Sequence, residues 1–173
     1  WSGAPETPNR SLEVGHIGNW GADCVPDHIA AHFGVAYNGQ QARFDVPESN
    51  RREAAEVLRC GGWKGGRLLV CVPHGGWISK RWKHMKLFAR QAAERGYEVW
   101  TPGKKWGTVD AQTPDFMSAV ACLHFAHALV GYDSGLSHAA AALGKPVVCL
   151  SGPTNASRLI FEGSPDNVAA IEM

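Results

Sequence analysis

Asp133, Ser134, Gly135 and His138 fall within six positions of one another, between an apolar run, Ala128-Leu129-Val130, and an alanine-rich stretch, Ala139 to Leu143. That order reads as a strand, a turn and the start of a helix. The first amides of a helix have no acceptor within it, and the helix dipole favours negative charge there, so the ligand this turn suits best is a phosphate. Ser134 is also a good N-cap, and capping and ligand binding can coexist at one turn. His138 is more discriminating. Leu136, Ala139, Ala140 and Leu143 form the stripe expected to face a sheet, whereas His138 lies four residues beyond Ser134 and shares its side of the helix. A lone histidine is more often structural, but one turn inside such a helix an imidazole can donate to a phosphate or a ribose hydroxyl.

Three further turns carry chemistry of the same kind. In Val72-Pro73-His74-Gly75-Gly76-Trp77-Ile78-Ser79-Lys80, the pair Gly75-Gly76 allows backbone to approach a ligand. Lys80 then sets an ammonium at the start of the next helix, where it can neutralise a departing diphosphate. Taken alone, a lysine is more often simply solvated. In Ser151-Gly152-Pro153-Thr154, Thr154 is suited to cap the next helix. In Pro102-Gly103-Lys104-Lys105-Trp106-Gly107, a base could stack on Trp106, and an exposed turn is the other reading.

The elements that must position these turns alternate. Short apolar strands are expected at Arg67 to Val72, Tyr97 to Thr101, Leu129 to Tyr132, Val147 to Leu150 and Val168 to Ile171. Between them, helical spacing covers Trp82 to Glu94, Pro114 to Ala126, Ser134 to Leu143 and Asn155 to Phe161. Earlier in the chain, Pro26 to Phe33 forms a helical candidate ending at Gly34, and Ser49 is placed to cap a helix running to Cys60. Alternating strands and helices imply right-handed crossovers and a parallel sheet covered on both faces. The expectation is a Rossmann-like α/β domain over residues 25–173, preceded by an arm or linker over 1–24 that is rich in Gly, Pro, Asn and Ser.

Composition narrows the class. With 173 residues and a formal net charge of +1, the chain fits one domain with a sizeable core. Lysines and arginines are interspersed with acids, so no nucleic-acid partner is expected. The apolar runs reach only about six residues, too few for a transmembrane segment. The five cysteines are odd in number and show no C-x-x-C spacing, which points to a reduced, cytoplasmic compartment without a zinc site. The chain opens on Trp1 and closes on a strand-like run, so a fragment or processed chain is expected.

Asp133-Ser134-Gly135-x-x-His138, followed by Ala-Ala-Ala-Leu-Gly-Lys-Pro and Ser-Gly-Pro-Thr, resembles the C-terminal half of family 9 glycosyltransferases, the ADP-heptose:lipopolysaccharide heptosyltransferases and their relatives. Lys80-Arg81-Trp82 is similar to the Lys-x-Trp that opens the first helix of that domain. The resemblance covers roughly Asp27 to Asn167. It implies one half of a GT-B-type enzyme whose donor is a nucleotide-diphosphate sugar, an ADP-sugar favoured. Lys80, Gly75, Gly76, Asp133, Ser134, Gly135, His138 and Thr154 are then its substrate-binding residues. It also implies an inverting reaction that needs neither metal nor cofactor. The family's acceptor site and its general base, an aspartate, lie on an N-terminal domain that has no convincing counterpart here; Gly18 to Asp23 is the nearest candidate. No catalytic residue is therefore assigned, and a missing N-terminal acceptor domain or partner chain is expected to complete the enzyme. Two departures stand out. Gly75 and Gly76 replace hydroxyl residues common in relatives, and the acidic residue used for ribose is not evident after the second strand. Two alternatives remain open, a non-catalytic α/β interaction or scaffold module and another sugar-nucleotide enzyme such as an epimerase.

Overall fold

In a computed structural model of the chain, the described residues are 33–36, 43, 45–73, 81–151 and 167–172. They form α1 (Glu48–Cys60), β1 (Leu68–Cys71), α2 (Met85–Glu94), β2 (Glu98–Trp100), α3 (Phe116–Leu123), β3 (Ala126–Tyr132), α4 (Gly135–Ala142), β4 (Val147–Ser151) and β5 (Val168–Glu172). The five strands make one sheet in the order β2-β1-β3-β4-β5. Every neighbouring pair is parallel. This is the α/β sheet that the alternation implies. A further turn of chain adds to its β2 edge, where Val109 bridges Trp100 in parallel.

The strands are apolar throughout because both faces of the sheet are covered. Successive side chains go to opposite sides. Leu68, Val70, Leu129, Val147 and Cys149 join one core with α1, α3 and α4. Leu69, Cys71, Val130, Tyr132 and Leu150 join the other, against Met85, Ala89 and Ala92 of α2. Those three residues are the one apolar stripe of α2, spaced i, i+4, i+7. Helix α3 differs. Its five residues Ala119 to Leu123 are all buried, since it lies against both α1 and α4 as well as the sheet.

Several boundaries differ from the sequence reading, each for a local reason. Helix α1 starts at Glu48 after Pro47, with no side-chain cap, and the Ser49 hydroxyl bonds Asn50 instead. Proline, with its fixed φ, suits the entry to a helix. Helix α2 begins at Met85 rather than Trp82, because the Trp82 backbone is held by a tyrosine from the sheet. Ala126 belongs to β3 rather than to the preceding helix. Phe33 is helical and Gly34 has φ +69°, matching the end expected for the first helical candidate; its earlier residues and Asn155 to Phe161 lie outside the described residues.

Helix α3 is capped by Asp115, whose backbone is extended and whose Oδ1 accepts from Ser118 N at 2.7 Å. That bond is the main reason the Asp115 carboxyl is held below the usual carboxylate range. A carboxylate with a depressed folded-state pKa adds stability above its unfolded value, and that stability is lost as pH falls through the folded one. Asp115→Ala is therefore expected to lower the urea midpoint at neutral pH, and the gap from the parent should close as both are titrated into acid. A gap that is constant with pH would show that the charge plays no part in the cap.

Candidate functional site at the end of β3

In a sheet of order 2-1-3-4-5, the chain leaves β1 towards one edge and β3 towards the other. Ligands of such sheets sit in the crevice outside the carboxyl ends of those two strands. Here the crevice is flanked by the segment after Cys71 and by Asp133-Ser134-Gly135.

The end of β3 is anchored before it turns. Tyr132 is fully buried. Its hydroxyl accepts from the Trp82 N–H and donates to the Trp82 carbonyl at 3.3 Å. One phenol thus grips both backbone groups of a residue just ahead of α2. Burial pushes the Tyr132 phenol up from its ordinary range, against a smaller pull from the Trp82 N–H and the Arg81 charge.

Ser134 then adopts an extended backbone, φ −153° and ψ 159°, and caps α4. Its carbonyl accepts from Ser137 N at 3.0 Å and His138 N at 3.1 Å. The N–H groups of Gly135 and Leu136 have no acceptor among the described residues. These two amides, at the positive end of the helix, are the groups an anion would meet.

Gly135 packs closely against α3. A Cβ on it would lie 3.1 Å from Phe116 Cζ and 3.2 Å from Cε2. The ring of Phe116, the first residue of α3, therefore lies beside the first turn of α4. Phe116 is 53% exposed and its neighbour Met117 65% exposed. The Phe116 ring thus borders the turn, and the exposed Met117 follows it in the chain. Sequence reading missed them; the signal was Asp115 as a cap followed directly by two large apolar residues.

His138 projects away from the sheet, with its side chain 47% exposed, and its Nε2 lies 3.3 Å from Asp133 Oδ1. The buried face of α4 is carried by Ser137, Ala139, Ala140 and Ala141. Leu136 and Leu143, expected on that face, are only half-buried. The turn therefore gathers a carboxylate, an imidazole, two amides and a serine hydroxyl. Lys80, Gly75, Gly76 and Thr154 lie outside the described residues, as does Gly18 to Asp23.

The second half of the motif serves the opposite end of the strands. Gly144 closes α4 with φ +72°, a conformation that favours glycine. Lys145 Nζ donates to the His124 carbonyl at the end of α3, at 2.5 Å. The side chain of Asn167, just ahead of β5, donates to the Lys145 carbonyl at 2.8 Å. Gly-Lys-Pro therefore stitches helix ends to strand starts, far along the helix from Ser134.

The loop after β2 is built on Thr101, whose hydroxyl bonds the Lys104 carbonyl at 2.6 Å and accepts from Trp106 N at 3.1 Å. Trp106 is half-buried against the α2-side core, and Lys104 Nζ lies 5.9 Å from its ring centre. It is thus neither a bare turn nor an open stacking platform. Asp110 pairs with Lys105 at 2.5 Å, and that contact is the largest cause holding its carboxyl below the usual range. A groove of about 590 Å³ lined by Glu53, Glu56, Cys60 and Asp110 among others contains none of the candidate residues. Its carboxylates suit an anion poorly. Among the described residues no cluster of His, Cys, Asp and Glu could hold a metal ion.

A parallel 2-1-3-4-5 sheet presenting a capped helix start at its reversal is a Rossmann-like α/β architecture. The model of glycosyltransferase family 9 (heptosyltransferase) matches residues 111–160, which include α3, β3, α4 and β4. Among solved structures, a family 9 glycosyl transferase from Veillonella parvula is similar at TM-score 0.66 and 19% identity, over 88% of this chain and 49% of that one. E. coli ADP-heptose lps heptosyltransferase II is similar at TM-score 0.61 and 22% identity, over 75% of this chain and 44% of that one. The E. coli heptosyltransferase WaaC, solved with ADP, is similar at TM-score 0.55 and 20% identity, over 84% and 48%. No curated protein matches the sequence. The chain spans about half the length of these structures. It resembles the C-terminal domain of a family 9 glycosyltransferase, by sequence signature over 111–160 and by fold over most of its length.

Proposed function

We propose that this chain is the donor-binding half of a heptosyltransferase-like glycosyltransferase, with residues 25–173 as the domain and 1–24 as a leading arm. The observation that carries the reading is the start of α4, where two amides without a described partner sit beside Ser134, Asp133 and His138 at the reversal of the strand order. The diphosphate of a nucleotide sugar would accept from the Gly135 and Leu136 amides, with His138 donating alongside. Phe116 and Met117 offer an apolar surface for the nucleoside end. ADP is the favoured nucleotide, supported by a neighbour solved with it. Lys80, Gly75, Gly76 and Thr154 complete the proposed set by family resemblance.

In the complete enzyme the diphosphate is the leaving group. Amides and cations at the start of α4 would stabilise the charge that develops on it as the glycosyl bond breaks, which is a role that needs no metal. Attack from the opposite face by an acceptor inverts the anomeric carbon. A base on a partner domain or chain removes the acceptor's proton, since Asp110 is engaged with Lys105 and Asp133 with His138. We place the protein in the cytoplasm, supported by Cys60, Cys71 and Cys122, none of which is in a disulfide among the described residues.

Titration of the chain with ADP, UDP and GDP by calorimetry or NMR tests the reading. Millimolar-range binding is expected, strongest for ADP, because half of the cleft belongs to another domain. Absence of a response to all three would refute the donor site.

A further inference from the structure

We infer that Ser137 is a positioning residue that withholds the Ser134 hydroxyl from an anion at the start of α4, so that ligand affinity is set partly by a proton already committed inside the turn. This rests on the reading of that turn as the diphosphate site.

A serine hydroxyl has one proton to donate and two lone pairs to accept with. Ser137 Oγ lies 2.5 Å from the Tyr132 carbonyl oxygen, which can only accept, so the Ser137 proton is spent there. Ser134 Oγ lies 3.1 Å from Ser137 Oγ. With Ser137 having no second proton, the one between the two hydroxyls belongs to Ser134. The Ser134 oxygen also accepts from Ser137 N at 3.4 Å. Its single donor is therefore turned into the helix start.

Phosphate oxygens are acceptors. They gain a hydrogen bond from Ser134 only if its proton rotates off Ser137. Ser137 is fully buried, so no solvent molecule readily replaces the lost donor. Every anion that uses Ser134 thus competes with an internal hydrogen bond, whereas the Gly135 and Leu136 amides carry no such competitor among the described residues.

This predicts a gain of affinity from the loss of a buried contact. Ser137→Ala in the full chain is expected to tighten ADP binding by about threefold to tenfold, the worth of one hydrogen bond, while lowering the melting temperature because the Tyr132 carbonyl loses its donor. Ser137→Cys keeps a weak donor for that carbonyl and nearly the same volume, but a thiol is a poor acceptor for Ser134. It should tighten binding as well, with a smaller loss of stability, and it covers the case in which the alanine variant does not fold. In a Ser134→Ala background neither change should alter affinity. A purely structural Ser137 would instead weaken binding or leave it unchanged. If Ser134→Ala weakens ADP binding but both Ser137 variants fail to strengthen it, the inference is overturned and the site stands. If the parent binds no ADP, the site fails and this inference with it.

Discussion

Replacing His138 by alanine is expected to weaken ADP binding by roughly tenfold to a hundredfold, the range for one charge-assisted hydrogen bond, while the melting temperature stays within a few degrees of the parent. The two effects separate because of where the side chain sits. It is 47% exposed, and its Nε2 approaches Asp133 Oδ1 at 3.3 Å. Exposed pairs of that kind contribute at most about 1 kcal/mol to folding. Against a diphosphate, by contrast, a protonated imidazole supplies both a donor and a charge. It also offsets the Asp133 carboxylate, which would otherwise repel the ligand. A variant that melts early yet binds ADP with the parent's affinity would return His138 to a structural role.

Tyr132→Ala is expected to cost about 3–5 kcal/mol in denaturant unfolding, the range for a fully buried aromatic side chain. The ring is 0% exposed and fills the core between β3 and α2. Tyr132→Phe keeps the ring and isolates the hydroxyl, which serves both the N–H and the carbonyl of Trp82. Losing it should cost about 1–3 kcal/mol, because the backbone groups left behind are partly buried. An unchanged unfolding midpoint for Tyr132→Phe would mean that the Trp82 backbone finds water instead, and that the phenol does not hold the entry to α2.

Much of this was legible without coordinates. The runs Leu68 to Cys71 and Val147 to Leu150 are too short and too uniformly apolar for anything but strands buried on both faces, and parallel pairing follows from the helices between them. The capping of α4 by Ser134 and the outward phase of His138 follow from local rules, since a cap and a helical turn involve only residues three or four apart. The limits were equally physical. Ser49 was read as a cap because serine commonly is one, yet Pro47 already enters the helix there. Trp82 was read as helical because its spacing fits α2, but a contact from Tyr132, fifty residues away, takes its backbone out of the helix.

What the amino-acid sequence by itself determined was the alternation of strands and helices, the amphipathic phase of α2 and the turn Asp133-Ser134-Gly135 with His138 one helical turn beyond. These rest on interactions between residues near in the chain, where spacing alone dictates which side chains meet. Only the tertiary structure decided the strand order that sets β3 beside β1 and opens the crevice there. Only it placed the Phe116 ring against Gly135, split Gly-Lys-Pro off to the opposite end of the strands, and set Ser137 beneath Ser134 with its proton committed to Tyr132. Each of those depends on which elements pack together and how closely. That is governed by the filling of two cores at once, and no local pattern in the chain encodes it.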